Sequence, residues 1–165
     1  MANHIAYISV GSNIGNKLEN CQKGVAALIS SGSTEILQHS RIYKTDPVDY
    51  TEQDWFINYA VKIQTVLDPF QLLSTLNAIE RRSGRMVDKI RFGPRVLDMD
   101  IILYNDLVLH SAKLIIPHPR MHKRRFVLKP ICDIDPEITH PILKKSMQYL
   151  LDSLNDNGQG VEPYL

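Results

Sequence analysis

From residue 91 to residue 104 the chain reads Arg91-Phe-Gly-Pro-Arg-Val-Leu-Asp-Met-Asp-Ile-Ile-Leu-Tyr104. A Gly-Pro turn precedes an apolar run that two aspartates interrupt, and this pattern predicts a strand over residues 97–104. Because successive side chains of a strand point to opposite faces, Asp98 and Asp100 are expected to lie together on one face. The residues expected to enter a core on the other face are Leu97, Met99, Ile101 and Leu103.

The two aspartates form a candidate metal site. Neighbouring carboxylates repel each other unless a cation is supplied, and a hard divalent cation prefers oxygen ligands. Arg95 is then a candidate ligand for phosphate oxygens. The structural alternative is a solvated face of a half-buried strand. Charge favours a metal-bound polyanion, because residues 85–125 hold nine Lys and Arg against four Asp, whereas the net charge of the chain is +1.

Length and composition indicate a single domain over residues 1–165. The chain has 44% hydrophobic residues, which suffices for a sizeable core, and residues 155–165 are expected to form a flexible tail. The sequence has neither an apolar run of the ~18 to 20 residues that a membrane span needs nor a signal-peptide pattern. We therefore expect a cytoplasmic protein without a membrane partner. Cys21 and Cys132 are far apart and are expected to be reduced.

Apolar periodicity predicts the element order β-α-β-β-α-β. The strands are expected at 4–10, 34–43, 55–66 and 97–104, the two long helices at 16–31 and 68–84, and shorter helices at 123–132 and 144–154. This order is typical of an α+β ferredoxin-like sandwich, in which helices flank an antiparallel sheet. The loop at 45–54 is longer than a hairpin needs, which favours a functional role. Residues 11–17 lack the spacing of a Walker A phosphate loop, and Asn16 is expected to cap the first helix.

Five segments together resemble one known family. They are Ala-Tyr-Ile-Ser-Val-Gly-Ser-Asn at 6–13, Phe-Ile-Asn-Tyr-Ala-Val at 56–61, Ile-Glu-Arg-Arg-Ser-Gly-Arg at 79–85, the stretch at 91–104, and Ile-Pro-His-Pro-Arg-Met at 116–121. In order and spacing, residues 4–137 resemble 6-hydroxymethyl-7,8-dihydropterin pyrophosphokinase (HPPK), an enzyme of folate biosynthesis. The resemblance implies transfer of pyrophosphate from the co-substrate ATP to the pterin hydroxymethyl group, with release of AMP. It also implies two Mg²⁺ ions, held by Asp98 and Asp100 when ATP is bound.

The resemblance carries a set of site residues onto this sequence. Those implied for catalysis are Arg85, Arg95, Asp98 and Asp100. Those implied for ATP binding are Glu80, Arg85, Phe92, Arg95, Ile101, Lys113, His118 and Arg124. Those implied for pterin binding are Thr45, Asp46, Val48, Phe56, Asn58 and Phe126. A general base is not assigned, because both aspartates are committed to metal.

Residue chemistry agrees with these roles and also leaves structural alternatives open. A pterin has flat apolar faces and a polar edge, which suit the two phenylalanines and the amide of Asn58. Phe56 and Asn58 share one strand face, since they are two residues apart. The alternatives are core packing for the phenylalanines, helix-surface pairing for Glu80, a helix-end cation for Arg85, and a turn cap for His118.

Four positions depart from the pattern of the family. Phe92 replaces a frequent tryptophan, Pro119 a tyrosine, Val87 an arginine, and Ile115 a small hydroxyl residue, so altered substrate affinities are expected. The loops at 45–54 and 85–96 are expected to close over ATP.

Two other classes of protein share some of these features. An RNA-binding module could stack bases on Phe56 and Phe92, but the near-neutral charge and the acidic pair oppose binding of nucleic acid. A two-metal nuclease or phosphodiesterase would share the aspartates, yet it would not explain Asn58 and its aromatic neighbours. We therefore expect a monomer whose partners are ATP and a pterin.

Overall fold

Strand β1, His4–Ser12, is central to the fold, because it pairs antiparallel with both β4, Phe56–Thr65, and β5, Asp98–Tyr104. The computed structural model describes residues 3–47, 52–84, 94–155 and 160–164. The other elements in these ranges are α1 Lys17–Ile29, β2 Thr34–His39, β3 Tyr43–Thr45, α2 Pro69–Arg82, β6 Leu109–His110, β7 Ile115–Ile116, a 3-10 turn Met121–Lys123, α3 Arg125–Ile134, α4 Met147–Asp152 and β8 Val161–Pro163.

The main sheet has the strand order β5-β1-β4-β3-β8, and β2 pairs with the other half of β4. All of its pairings are antiparallel. The element order from β1 to β5 is β-α-β-β-α-β once β2 and β3 are counted as one interrupted strand. The predicted α+β class, an antiparallel sheet flanked by helices, is therefore confirmed. The strands β6 and β7 form a small separate hairpin.

Helices cover both faces of the sheet and create two cores. The first core lies under α1 and α2, where Cys21, Leu28, Leu72, Leu76 and Ile79 pack against Ala6, Ile8 and Val10. The second lies under α3 and α4, where Val127, Leu128, Ile131, Met147 and Leu150 pack against Tyr7, Ala60 and Leu103. Within the described ranges, none of the helices is both long and apolar enough to cross a membrane.

The first two helices begin where local chemistry predicts. The Asn16 side chain accepts a hydrogen bond from the Glu19 backbone N–H at 3.3 Å, which confirms the predicted cap of α1. Helix α2 begins with a capping box, in which Asp68 accepts from the Gln71 N–H and the Gln71 side chain accepts from the Asp68 N–H. Pro69 follows at the first helical position, where a missing N–H costs nothing.

Strand β5 does not alternate regularly along its whole length. The aspartate face is as predicted, since Leu97, Met99 and Ile101 belong to the first core. The prediction for Leu103 was wrong, because its side chain packs in the second core. A bulge causes this: Ile8 pairs with Ile101 while Tyr7 pairs with Leu103, so Ile102 is an extra residue that reverses the alternation.

Two further segments differ from the sequence predictions. The strand predicted over 34–43 is divided into β2 and β3, which pair with different parts of β4. Between them Ser40 hydrogen-bonds Ala60 through both its backbone N–H and its side-chain oxygen. In the segment predicted as a flexible tail, residues 161–163 instead form β8, which pairs with β3.

Candidate active site

Three strands bring the predicted pterin and metal residues into one row. Gly11 of β1 pairs with Asn58 of β4 on one side and with Asp98 of β5 on the other. Directly paired residues point to the same face of a sheet. Asn58 and Asp98 therefore lie on either side of Gly11, on the face of the sheet against which α3 packs. Two strand spacings put their Cα atoms about 10 Å apart. The next row, Ala60, Ser9 and Asp100, has the second aspartate at its edge.

Gly11 lies between these groups, where the Asn58 side chain occupies the space that a side chain at residue 11 would need. A Cβ at residue 11 would lie 2.4 Å from Asn58 Oδ1 and 3.3 Å from the backbone oxygen of Ile57. A side chain there would displace the amide of Asn58, so glycine is required by close packing. The role of Gly11 was not predicted from the sequence. The available signal was a glycine at the end of an otherwise apolar strand, inside the motif at 6–13.

Asp98 and Asp100 open into a cleft of about 300 Å³. The cleft brings together six predicted ATP or metal residues, which are Glu80, Asp98, Asp100, Ile101, Lys113 and His118. Both aspartates are half-buried. The part of the chain that the structure describes has no cluster of three or more His, Cys, Asp or Glu that could hold a metal. A pair of carboxylates suits Mg²⁺, which keeps several waters and takes other ligands from substrate phosphates.

Glu80 supports the strand that carries the aspartates. Its buried carboxylate accepts a hydrogen bond of 2.8 Å from the Met99 backbone N–H, between Asp98 and Asp100. Strand β5 is an edge of the sheet, and its outward N–H groups therefore need partners from elsewhere. Glu80 thus fixes the backbone of the aspartate pair, a role that neither the helix-pairing interpretation nor the nucleotide interpretation included.

His118 lies on the same edge of β5. Its backbone N–H donates to the carbonyl of the bulged Ile102 at 3.0 Å. Its ring Nδ1 accepts from the Arg120 N–H at 3.1 Å, which leaves Nε2 as the protonated nitrogen that can donate. Burial lowers the pKa of His118 to about 4, and the nearby positive charges of Arg124 and Arg120 act in the same direction. The ring is therefore neutral near pH 7.

Asn13 organises the backbone around Arg95. The buried Asn13 side chain accepts from the Arg95 N–H at 2.8 Å, and its amide donates to Gln53 Oε1 at 2.8 Å and to the Asp54 carbonyl at 3.2 Å. The Asn13 N–H also donates to the Arg95 carbonyl. This residue, which the sequence analysis did not assign to the site, joins the end of β1 to two loops.

Four of the predicted pterin residues, Thr45, Phe56, Asn58 and Phe126, lie on the same face as the row described above. Asn58 donates from Nδ2 to Thr45 Oγ1 at 2.6 Å, and both residues are buried. Phe56 pairs with Thr45 and is half-buried. Phe126 is in the first turn of α3, where the guanidinium carbon of Arg124 lies 5.5 Å from its ring centre.

The remaining predicted residues lie outside the cleft lining, beside β8, or outside the described residues. Arg95 and Arg124 are half-buried and lie outside the lining of the cleft, as far as the described residues show it. Asp46 is exposed and adjoins β8 rather than Asn58. Val48, Arg85 and Phe92 lie outside the described residues, as does Val87. Most of the loop predicted to close at 85–96 also lies outside them.

Comparison of the sequence with known proteins places it in one family. The family model for 7,8-dihydro-6-hydroxymethylpterin-pyrophosphokinase (HPPK) matches residues 7–136. The chain is 43% identical over 136 residues to 2-amino-4-hydroxy-6-hydroxymethyldihydropteridine pyrophosphokinase of Bacillus subtilis, a match that covers 82% of this chain and 81% of that protein. It is 40% identical over 156 residues to folic acid synthesis protein fol1 of Schizosaccharomyces pombe. That match covers 94% of this chain but only 21% of the longer relative.

The fold is shared with solved structures that the sequence resembles only weakly. The HPPK-DHPS protein of Plasmodium falciparum superposes with a TM-score of 0.72 at 16% identity, over 92% of this chain and 45% of that one. The fold therefore agrees with the match in sequence, and the predicted family is confirmed. The chain belongs to the 7,8-dihydro-6-hydroxymethylpterin-pyrophosphokinase family.

Proposed function

We propose that this protein transfers pyrophosphate from ATP to the hydroxymethyl group of 6-hydroxymethyl-7,8-dihydropterin and releases AMP. The observation that carries the proposal is the row formed by Asn58, Gly11 and Asp98. It gives one face of the sheet an amide for a heterocycle edge and, about 10 Å away, a carboxylate for a metal. A substrate held by its ring at one end and reacting through a hydroxyl at the other fits this spacing.

Asp98 and Asp100 are the residues that would hold Mg²⁺, and we propose two ions with ATP bound. If Mg²⁺ were bound by these carboxylates, it would supply positive charge that offsets the negative charge of the phosphates. The cleft beside the aspartates supplies two donors for the phosphates, Lys113 and His118. The cations Arg85, Arg95 and Arg124 are proposed to add contacts to the phosphate chain, as a planar guanidinium suits phosphate oxygens.

His118 acts in this proposal as a neutral hydrogen-bond donor through Nε2. Its Nδ1 lone pair is already used by the Arg120 N–H, so His118 is not the general base. A neutral donor stabilises charge on a phosphate oxygen without requiring protonation at neutral pH. Glu80 contributes by fixing the Met99 N–H, which holds the two aspartates in register.

The pterin would lie over the Gly11 position with its edge at Asn58. Thr45 Oγ1 holds the Asn58 amide in one orientation, which specifies the donor and acceptor pattern that the ring meets. Phe56 and Phe126 would supply aromatic surfaces for the ring faces. Asp46 and Val48, from the same loop as Thr45, are proposed to add backbone contacts to the pterin.

The test is product analysis after the protein is mixed with ATP, Mg²⁺ and 6-hydroxymethyl-7,8-dihydropterin. We expect AMP that forms only when the pterin is present. The variants Asp98→Asn and Asp100→Asn should each lower this rate by roughly 10³-fold, because metal-assisted charge stabilisation supplies several kcal/mol. Asp106→Asn, the same change at an exposed residue outside the cleft, should leave the rate unchanged.

Other products would overturn the proposal. ADP in place of AMP would indicate an ordinary kinase. Mg²⁺-dependent cleavage of a phosphodiester, with the pterin unmodified, would indicate a phosphodiesterase. Retention of RNA that falls steeply with salt, without nucleotide turnover, would indicate a nucleic-acid module.

A further inference from the structure

Strand β8 holds the start of the loop that carries the proposed pterin residues. Thr45 of β3 pairs with Val161 of β8. One residue later, the Asp46 N–H donates to the Gly160 carbonyl at 2.9 Å. The Gly160 N–H in turn donates to Asp46 Oδ2 at 3.0 Å, across 114 residues of sequence. Asp46 is therefore bound to β8 by its backbone and by its side chain together.

Gly160 permits this contact because it has no side chain. A Cβ at residue 160 would lie 2.3 Å from Asp46 Oδ2 and 2.9 Å from Asp46 Cγ. The obstacle is the carboxylate of Asp46, since Gly160 does not have the positive φ that would itself exclude a side chain. Any side chain at this position must therefore push the Asp46 carboxylate away from the strand.

The other end of β8 reaches the strand that carries Phe56 and Asn58. The Tyr164 N–H donates to the Ile42 carbonyl at 2.8 Å, and the Tyr164 ring lies 5.8 Å from the ring of Trp55. Trp55 directly precedes Phe56. The ammonium groups of Lys17 and Lys44 lie 4.1 Å and 5.0 Å from the same indole ring, which adds cation–π attraction.

We propose that β8 positions the pterin pocket through Asp46. Asp46 is a positioning residue, whose carboxylate accepts the hydrogen bond of the Gly160 N–H. This rests on the function proposed above. Gly160 holds the carboxylate of Asp46 through its N–H. Asp46 directly follows Thr45, and Thr45 orients the amide of Asn58. Loss of the contact between Asp46 and Gly160 should therefore let the Asn58 amide take more than one orientation, which weakens its hydrogen bonds to the pterin edge. The ATP cleft on the far side of β1 should stay intact.

The test is a set of variants at the two residues, with the dissociation constants of the pterin and of ATP measured separately. Gly160→Ala and Asp46→Ala should each weaken pterin binding by about tenfold, the effect of losing one charge-assisted hydrogen bond. ATP affinity and kcat at saturating pterin should change less than twofold. Asp46→Asn keeps a side-chain oxygen acceptor and should recover most of the affinity.

The double variant separates positioning from general damage. Once Asp46 is alanine, the Cβ at 160 meets no carboxylate, so Asp46→Ala with Gly160→Ala should bind the pterin no worse than Asp46→Ala alone. Glu162→Gln, an exposed change on the same strand, is the matched control and should behave as the parent. Strictly additive losses in the double variant would overturn the proposal, as would equal losses for ATP and pterin.

A fluorescence measurement keeps this proposal distinct from the proposed function. Trp55 is the single tryptophan of the chain, and its contact with Tyr164 makes its emission a reporter of β8. Gly160→Ala should shift this emission even if the parent forms no AMP, in which case the proposed reaction fails and the strand contact stands. Altered Trp55 emission together with parental pterin affinity would overturn the positioning role.

Discussion

Gly11 and Asn58 are directly paired across β1 and β4, and a Cβ at Gly11 would lie 2.4 Å from Asn58 Oδ1. The amide of Asn58 therefore occupies space that any other residue at 11 would fill. Because Asp98 pairs with Gly11 from the other side, Gly11 lies between the proposed pterin amide and one of the two proposed metal carboxylates. The strand spacing sets the distance between these two parts of the proposed site, and the glycine leaves room for the Asn58 amide between them.

Gly11→Ala is expected to weaken pterin binding by about tenfold, since the Asn58 amide must leave its hydrogen bond with Thr45. ATP binding should be retained, because the cleft lining does not include Gly11. Titration of the pterin and of ATP by calorimetry measures both. Combined with Asn58→Ala, the substitution should cost nothing further, since the clashing atom is gone. Parental pterin affinity in Gly11→Ala would refute the assignment.

Glu80→Ala should leave the Met99 N–H at the edge of β5 without its carboxylate acceptor. An unsatisfied buried donor costs about 1–3 kcal/mol, so we expect a lower free energy of unfolding and faster hydrogen exchange at Met99. The KM for ATP should rise about tenfold, because the backbone that carries the two aspartates is no longer held in place. Glu80→Gln retains an oxygen acceptor and should recover much of both properties. Arg81→Ala, at an exposed neighbour on α2, serves as the control, and parental exchange at Met99 in Glu80→Ala would contradict the role.

The lowered pKa of His118 has a consequence for stability in acid. Burial holds the pKa near 4 in the folded state, whereas an unfolded histidine titrates near 6.5. Between these values the unfolded chain binds a proton that the folded chain does not, so stability is full above pH 6.5 and falls as the pH drops toward 4. His118→Asn should therefore lose less stability than the parent between pH 7 and pH 4, by on the order of 2 kcal/mol.

Denaturant unfolding of the two proteins at several pH values measures that difference. Burial also lowers the pKa of His122 and of His140, but both residues are present in both proteins and their contributions cancel. A direct check is the NMR titration of His118, whose ring should stay neutral down to about pH 5. An ordinary titration near pH 6.5 would contradict the expectation.

Much of the fold and part of the site could be predicted from local pattern. Alternation within 97–101 correctly placed the aspartates on the face opposite Met99, and the predicted cap at Asn16 marked where the first helix begins. Leu103 was assigned to the wrong core because a bulge is a property of two paired strands, and one strand alone does not show it. Strand β8 was missed for a similar reason: three residues have little periodicity, and their partner lies more than a hundred residues away.

The roles that pattern did not reveal depend on side-chain contacts with the main chain of distant residues, or on the absence of a side chain. Glu80 was assigned as a helix-surface or nucleotide residue, whereas its carboxylate meets a main-chain N–H that only the packed structure brings near. Asn13 likewise joins the main chain at Arg95 and Asp54. Gly11 has no side chain, which leaves room for the amide of Asn58. Such roles depend on neighbours that are distant in sequence, which single-sequence reasoning does not supply.

The bulge at Ile102 places a constraint on length as well as on composition. Before it, odd-numbered residues of β5 face the first core; after it, Leu103 faces the second, and Tyr104 returns to the first. Insertion or deletion of a single residue between Asp98 and Tyr104 would move the side chains at one end of the strand to the opposite face of the sheet. Either the two aspartates or Tyr104 would then change sides. Natural variation in chain length should therefore fall outside this segment, where loops can absorb it.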